Sequence, residues 1–177
     1  MSDYMELALK RQSTRQFADK PVEHEKLVKC VEAARLSPSG CNAQPWSFIV
    51  VEKPEVVAEV AKTTMQLGIN EYIAKAKAFF VVVEEYAQLM PKIAKIVHSQ
   101  YFAKGDLGAV SLSLCLEAQS QGLGTCMLGI FDRPKLRELF DIPKDKDIFI
   151  VIAVGYPSSD QVRTKDRKPL EELVRFV

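Results

Sequence analysis

No long hydrophobic run occurs in this 177-residue chain; the longest, near Ala78–Val83 and Ile148–Val154, are far too short to span a bilayer. An N-terminal apolar segment is missing too, since Ser2, Asp3 and Glu6 follow Met1, so neither a leader nor a membrane partner is expected and the chain reads as cytoplasmic. Charge of one sign is lacking as well: 24 Lys and Arg against 23 Asp and Glu leave a net charge of +1. Such an interspersed balance provides no general field for nucleic acid, and basic residues with a task must act locally. Histidine and cysteine are scarce. His24 and His98 stand apart, and no two of Cys30, Cys41, Cys115 and Cys126 make a CxxC pair, which argues against a zinc site. Cys30 and Cys115 are expected to be buried free thiols, while Cys41 falls in a polar loop where a reactive thiol and an inert one are both open. No paired histidines and no Ser–His arrangement support a hydrolase, and no repeat or low-complexity stretch is present.

What is there suits one domain over residues 1–177, with 47% hydrophobic and 27% charged residues. A helix is expected from Ser2 or Asp3 to about Lys10. A second runs from near Glu23 and stops before Pro38, with Leu27, Val28, Val31 and Ala34 on one face. Trp46–Glu52 reads as a strand, with Trp46 packing at its entry, Pro54–Met65 as a helix and Ala78–Glu84 as a strand. The spacing of Leu89, Ile93, Ile96, Val97 and Tyr101 predicts an amphipathic helix with Lys92, Lys95 and Lys104 on a solvated face. Asp106–Gln121 is apolar nearly all round and belongs in a core or an interface, ending at Gly122. Thr125–Ile130, Pro134–Phe140 and Asp147–Gly155 complete the pattern as strand, helix and strand. Without regular βαβ alternation the class is α+β, a sheet flanked by helices. The chain closes on a polar basic segment and then Leu170, Leu173, Val174, Phe176 and Val177, apolar residues that a partner subunit or their own domain must cover.

Four constellations carry possible chemistry. In an extended Arg11-Gln12-Ser13-Thr14-Arg15, a period of two places Arg11, Ser13 and Arg15 on one side, which suits a phosphate dianion and equally a solvated run with salt bridges. Ser37–Trp46 holds two prolines and a glycine between helix and strand. There Ser39, Asn42 and Gln44 suit either the polar edge of a planar heterocycle or a structural turn. Gly122-Leu123-Gly124 follows a helix instead of opening one, which excludes a dinucleotide-binding turn. Lys165-Asp166-Arg167-Lys168-Pro169 is a basic cluster that, by itself, reads as a solvated tail.

These pieces occur together and in order. Arg11-Gln-Ser-Thr-Arg-Gln-Phe17 resembles the opening motif of the FMN-dependent nitroreductase family, and Glu32-Ala-Ala-Arg-Leu-Ser-Pro-Ser-Gly-Cys-Asn-Ala-Gln-Pro-Trp-Ser-Phe48 resembles its most recognisable signature. Asp106-Leu-Gly-Ala running to Gly122-Leu-Gly-Thr125, and Gly155-Tyr-Pro157 followed by Lys165 and Arg167, extend the resemblance over nearly the whole chain. It implies a three-layer α-β-α sandwich with a mainly antiparallel sheet, dimeric, with residues 156–177 packing on the partner subunit.

The resemblance also implies a bound FMN. Arg11, Ser13 and Arg15 fall at its phosphate, with Gln12 adding contacts and Lys165 and Arg167 closing from the other end. Pro38, Ser39, Gly40, Asn42 and Gln44 correspond to a loop that crosses from the neighbouring subunit of a homodimer. Met127, Leu128 and Gly129 correspond to the backbone beside flavin N5, and Asn70 to a pyrimidine-edge asparagine. Longer relatives often carry a lysine three residues later where this chain has Ile73, so an N-terminal arginine is the remaining cation for flavin N1. The implied activity is transfer of electrons from NADH or NADPH to small acceptors such as nitroaromatics or quinones, by a ping-pong route with the chemistry at flavin N5 and no catalytic side chain or metal. Enone reduction, dehalogenation, flavin destruction and non-catalytic FMN binding share the fold. Specificity among them is expected in Met90–Gly105.

Overall fold

The computed structural model describes residues 4–65, 68–96 and 99–177. Ser2 and Asp3, the expected start of the first helix, lie outside the described residues, as do Val97 and His98. Four strands, β1 (Trp46–Val51), β2 (Ala78–Glu84), β3 (Gly124–Leu128) and β4 (Asp147–Gly155), form one antiparallel sheet in the order β1-β2-β4-β3. Among the described residues seven α-helices accompany it: α1 (Tyr4–Lys10), α2 (His24–Arg35), α3 (Pro54–Thr64), α4 (Pro91–Ala94), α5 (Ser99–Ser120), α6 (Arg133–Leu139) and α7 (Leu170–Leu173).

β2 explains the layering. All seven of its residues are buried, so its side chains need cover on both faces. Phe79, Val81 and Val83 meet Val57, Val60 and Leu136 from α3 and α6, while Phe80 and Val82 meet Leu27, Leu107, Val110 and Leu114 from α2 and α5. Burying each such side chain contributes roughly 1.5–3 kcal/mol. That outweighs what α2 forgoes at its start, where Glu23 makes no side-chain cap. The result is the expected three-layer α-β-α sandwich around an antiparallel sheet. Gly122, at φ 77°, closes α5 in the left-handed region, and Leu123 N–H reaches back to Ala118 O at 2.8 Å, a Schellman turn.

Three expectations need correction, and a fourth is extended. On α2 the inward residues are Leu27, Cys30 and Ala34, whereas Val28 is turned out to solvent, because the face that meets α5 follows the three- and four-residue spacing from Leu27. The amphipathic helix over Leu89–Tyr101 is not continuous. Pro91 starts only the short α4, and the chain turns at Lys95–Ile96. Leu89 and Ile93 are half-buried while Ile96 and Tyr101 stand exposed, so the stripe does not lie along one surface, and periodicity alone does not make a helix. α5 begins at Ser99, not Asp106, since Ala103 already packs in the core. Lys104 is exposed, as expected, and in addition its ammonium pairs with the buried Glu84, which also accepts from Gln100 Nε2 at 2.8 Å. No helix among the described residues is long and apolar enough to cross a membrane.

Candidate functional site

The segment after α1 lies beside the open edge of β3. Thr14 N–H donates to Thr125 O at 2.8 Å, Ser13 bridges Thr125 in parallel sense, and Phe17 bridges Pro157. Two glycines make this approach possible. Gly124 and Gly155 face each other across β3 and β4, and a Cβ at Gly124 would overlap Thr14 Oγ1, while one at Gly155 would come within 2.8 Å of the Phe17 ring. Of the Gly122-Leu123-Gly124 run, then, Gly124 serves packing: with Gly155 it lets an extended strip seat directly on the sheet.

The other end of the chain returns over that strip. Gln12 Nε2 donates to Gln161 O at 2.9 Å, and Gln12 Oε1 accepts from both the backbone N–H and Nε of Arg163, each at 3.1 Å. Arg163 Nη2 donates to Ser13 O at 2.5 Å and Lys165 Nζ to Arg11 O at 2.6 Å. Between strip and strap lies a cleft of about 250 Å³, lined among others by Ser13, Arg15, Gln16, Ser159 and Arg163. Its electrostatics are one-sided. The Lys165 ammonium has its pKa lowered, first by desolvation and then by the charges of Arg11, Arg167 and Arg163. Among the described residues, no carboxylate lies within ion-pair distance of Arg11, Arg15, Arg163, Lys165 or Arg167. Gathering like charges without a counter-charge is unfavourable, and an anion would relieve it.

Arg15 leads to a second cluster. Its guanidinium stands 5.8 Å from the centre of the Tyr72 ring, Tyr72 OH donates to Asn70 Oδ1 at 2.8 Å, and Asn70 Nδ2 donates to Thr64 O at 3.1 Å. Asn70 is thus tied to Arg15 through Tyr72, and φ 60° puts its backbone in the left-handed region. Burial pushes the Tyr72 hydroxyl up, against a pull downward from Arg15. Leu128 is buried at the end of β3, and Gly129 follows it exposed. The expected thiol burial holds: desolvation raises Cys30 to about 12 and Cys115 to about 11, so neither is a nucleophile at neutral pH.

The Pro38–Gln44 loop sits elsewhere, on α5. Gly40 N–H donates to Asp106 Oδ2 at 3.1 Å, and Gln44 N–H to Ser39 Oγ at 3.0 Å. Cys41, Asn42 and Gln44 have φ of 53°, 54° and 47°, left-handed values that Gly usually supplies and that cost of order 1–3 kcal/mol each elsewhere. Asn42 and Gln44 are exposed, and among the described residues their hydrogen bonds stay within the loop or its return to the sheet. Within one chain, then, the structure gathers Arg11, Gln12, Ser13, Arg15 and Lys165 and leaves the loop facing outward. Arg167 is exposed and donates to Asp166 O. Arg163 and Tyr72 were not among the sequence candidates. The signal for Arg163 was available: it stands two residues before Lys165 and four before Arg167, the same alternation that singled out Arg11, Ser13 and Arg15. Among the described residues no cluster of three His, Cys, Asp or Glu side chains is placed to hold a metal.

With this geometry in hand, comparison with known proteins is informative. A family model described as "Nitroreductase family" matches residues 8–156. The "Putative NADH dehydrogenase/NAD(P)H nitroreductase" of Archaeoglobus fulgidus is 29% identical over 165 residues, covering 91% of this chain and 89% of that protein. The iodotyrosine deiodinase of Nematostella vectensis is 28% identical over 191 residues, covering 93% of this chain and 71% of the relative. A crystal structure from Exiguobacterium sibiricum, described as "a putative nitroreductase in complex with FMN", superposes with a TM-score of 0.84 at 21% identity over 100% of this chain and 98% of its own, a likeness of fold.

Proposed function

This chain belongs to the nitroreductase family, and we propose that it binds FMN and passes electrons from NADH or NADPH to small electron-poor acceptors such as nitroaromatics or quinones. The observation that carries the reading is the cation cluster built from both ends of the chain without a carboxylate partner. Its donor set fits a phosphate: Arg11, Arg15 and Lys165 supply charge, Ser13 a hydroxyl, and Arg167 further charge from the exposed end of the strap. The cleft of about 250 Å³ falls below the ~300–1,000 Å³ of sites that enclose a drug-sized ligand. One chain accordingly accommodates the phosphate end and must find the rest of its ring site elsewhere. We assign that part to the backbone at Leu128–Gly129, to Asn70, and to Pro38, Ser39, Gly40, Asn42 and Gln44 of a second copy in a homodimer. The left-handed backbone and exposed amides of that loop support the assignment, since neither serves the chain's own core. Within the extension at 156–177, residues up to Lys165 bond to the chain's own strip, and the exposed Leu170, Leu173, Phe176 and Val177 support packing of its last part on the partner.

Bound FMN supplies reversible hydride chemistry at ring nitrogen N5. The chain's task is to anchor the phosphate, present backbone N–H groups to the ring edge, and keep one ring face open to a reductant and then an acceptor in ping-pong order. The "NADH dehydrogenase/NAD(P)H nitroreductase" wording of the archaeal relative supports the reductant. Reductive dehalogenation is the second reading, favoured by the deiodinase relative. Four free thiols fit a reducing, cytoplasmic setting. The test is the visible spectrum of the purified protein before and after anaerobic NADH or NADPH, followed by a nitroaromatic, a quinone or a halogenated phenol. Yellow protein that bleaches and is re-oxidised by one of these supports the enzyme. Failure to bleach points to an FMN-binding protein without turnover, and a colourless protein that takes up no FMN ends the flavin reading.

A further inference from the structure

We propose that Arg163 is the positioning residue of the phosphate site: it clasps the C-terminal strap to the Arg11–Arg15 strip and turns its remaining N–H groups toward the cofactor phosphate. The inference rests on the FMN reading and adds a residue that the matching motifs do not contain. Gln12 is the catch. Both ends of its amide are engaged by the strap, the oxygen by two donors of Arg163 and the nitrogen by Gln161 O at 2.9 Å, across a sequence separation of about 150 residues. The guanidinium then reaches past Gln12 to Ser13 O, so it bonds to the backbone of the same residue whose hydroxyl belongs to the phosphate donor set.

Hydrogen-bond capacity decides what the rest of the group can do. A guanidinium has five N–H bonds in a rigid fork, and those to Gln12 and Ser13 use two, leaving three on a group that lines the cleft. Its acceptors here are a neutral amide and a peptide carbonyl, and among the described residues no carboxylate neutralises it. A cation held by neutral acceptors keeps its full charge and its geometry, beside Arg11 and Lys165, which suits bidentate recognition of a phosphoryl group. Residues 158–164 of the strap are exposed, and beside the Gln12 and Arg163 bonds it is held to the strip by Ser158 N–H to Gln16 O at 3.0 Å and by Lys165 Nζ to Arg11 O at 2.6 Å.

The clasp predicts discrimination between FMN and riboflavin, which share the ring and differ in the phosphate. Titration of apoprotein with each, followed by flavin fluorescence, separates the possibilities. Arg163→Ala is expected to weaken FMN binding about 10- to 100-fold, as for one charge-assisted contact, and to leave riboflavin binding unchanged. Arg163→Lys is expected to restore part of the loss, because it returns the charge without the fork. Gln12→Ala is expected to weaken FMN binding non-additively with Arg163→Ala, since the two share one contact. Circular dichroism of each variant identifies one that does not fold, in which case Arg163→Lys against wild type carries the test. Equal loss of FMN and riboflavin in a folded variant makes the strap merely structural and overturns the inference, as does unchanged FMN affinity. Wild-type protein that binds neither flavin overturns the FMN reading itself, a different result from either.

Discussion

The strip-and-strap end of the sheet and the Pro38–Gln44 loop are both polar, both irregular and both rich in side chains suited to a cofactor, yet they are held in opposite ways. The first is completed inside one chain: Thr14, Phe17, Gln12 and Arg163 tie residues 11–17 to β3 and to the strap. The second is fastened only at its base, by Gly40 to Asp106 and by Ser37 to Ser113 at 2.8 Å, and offers Asn42 and Gln44 outward from a left-handed backbone. Charge density marks the closed half, and conformational strain marks the open half. Under the proposed function the contrast divides the cofactor: one chain holds the phosphate by itself, whereas the planar ring takes a second surface brought against the first.

The sharpest way to break this contrast is to remove the charge from the closed half. Arg11→Ala with Arg15→Ala is expected to lower FMN affinity by about two to four orders of magnitude, from two contacts of about 1.5–3 kcal/mol each. Neither side chain is in the core, so circular dichroism and the thermal midpoint should change little; flavin content equal to wild type would sink the phosphate assignment. Next in size is Gly124→Ala, which puts a methyl group against Thr14. Overpacking of this kind typically costs about 1–3 kcal/mol, so denaturant unfolding should shift by that amount and flavin content should fall with it. Asp106→Ala addresses the open half alone. Loss of its bond to Gly40 N–H is expected to cost about 1–2 kcal/mol and to raise the rate at which a thiol reagent labels the exposed Cys41, while Asp106→Asn, which keeps an acceptor, should do less.

The smallest expected effect is a pH dependence. The Lys165 pKa lies below 10.5, first through desolvation and then through Arg11, Arg167 and Arg163. Between that lowered value and 10.5 the unfolded chain keeps a proton that the folded chain has released, so the stability of the apoprotein rises with pH across this window. Affinity for FMN should fall over the same range as the ammonium is lost. Lys165→Arg, charged throughout, should flatten the profile of affinity against pH, and an unaltered slope would remove Lys165 from the phosphate site.

Much of this architecture was legible because burial leaves a plain pattern. Ala78–Glu84 and Asp147–Gly155 are the strands expected, since both are apolar runs that demand cover on two faces, and Gly122 stops α5 where a left-handed residue was needed. The meeting of basic residues from both ends was legible only through the family resemblance, since alternation in Arg11–Arg15 suits a solvated run equally and Lys165–Pro169 by itself reads as a solvated tail. The partner of Lys104 was not legible, because Glu84 is twenty residues away and contact across an element end leaves no local trace. The spacing of Leu89–Tyr101 misled because it reports what a helix could bury without reporting whether a surface faces it. In the Pro38–Gln44 loop the prolines and Gly40 pointed to an irregular turn, but the left-handed residues are Cys41, Asn42 and Gln44, a choice set by tertiary contacts at Asp106. Arg163 was overlooked although it alternates with Lys165 and Arg167, because its neighbours read as a solvated tail until its acceptors on Gln12 and Ser13 are seen.

Glu84, Gln100 and Lys104 act as a staple whose consequence reaches beyond local charge balance. By joining the end of β2 to the first turns of α5, they hold together the two elements between which residues 85–96 leave the sheet. Loop-closure entropy grows slowly, about 0.6 kcal/mol for each doubling of length. A change of length in that stretch would therefore cost the sheet little, and under the proposed function it is a place where a change of acceptor could be accommodated without renegotiating the fold.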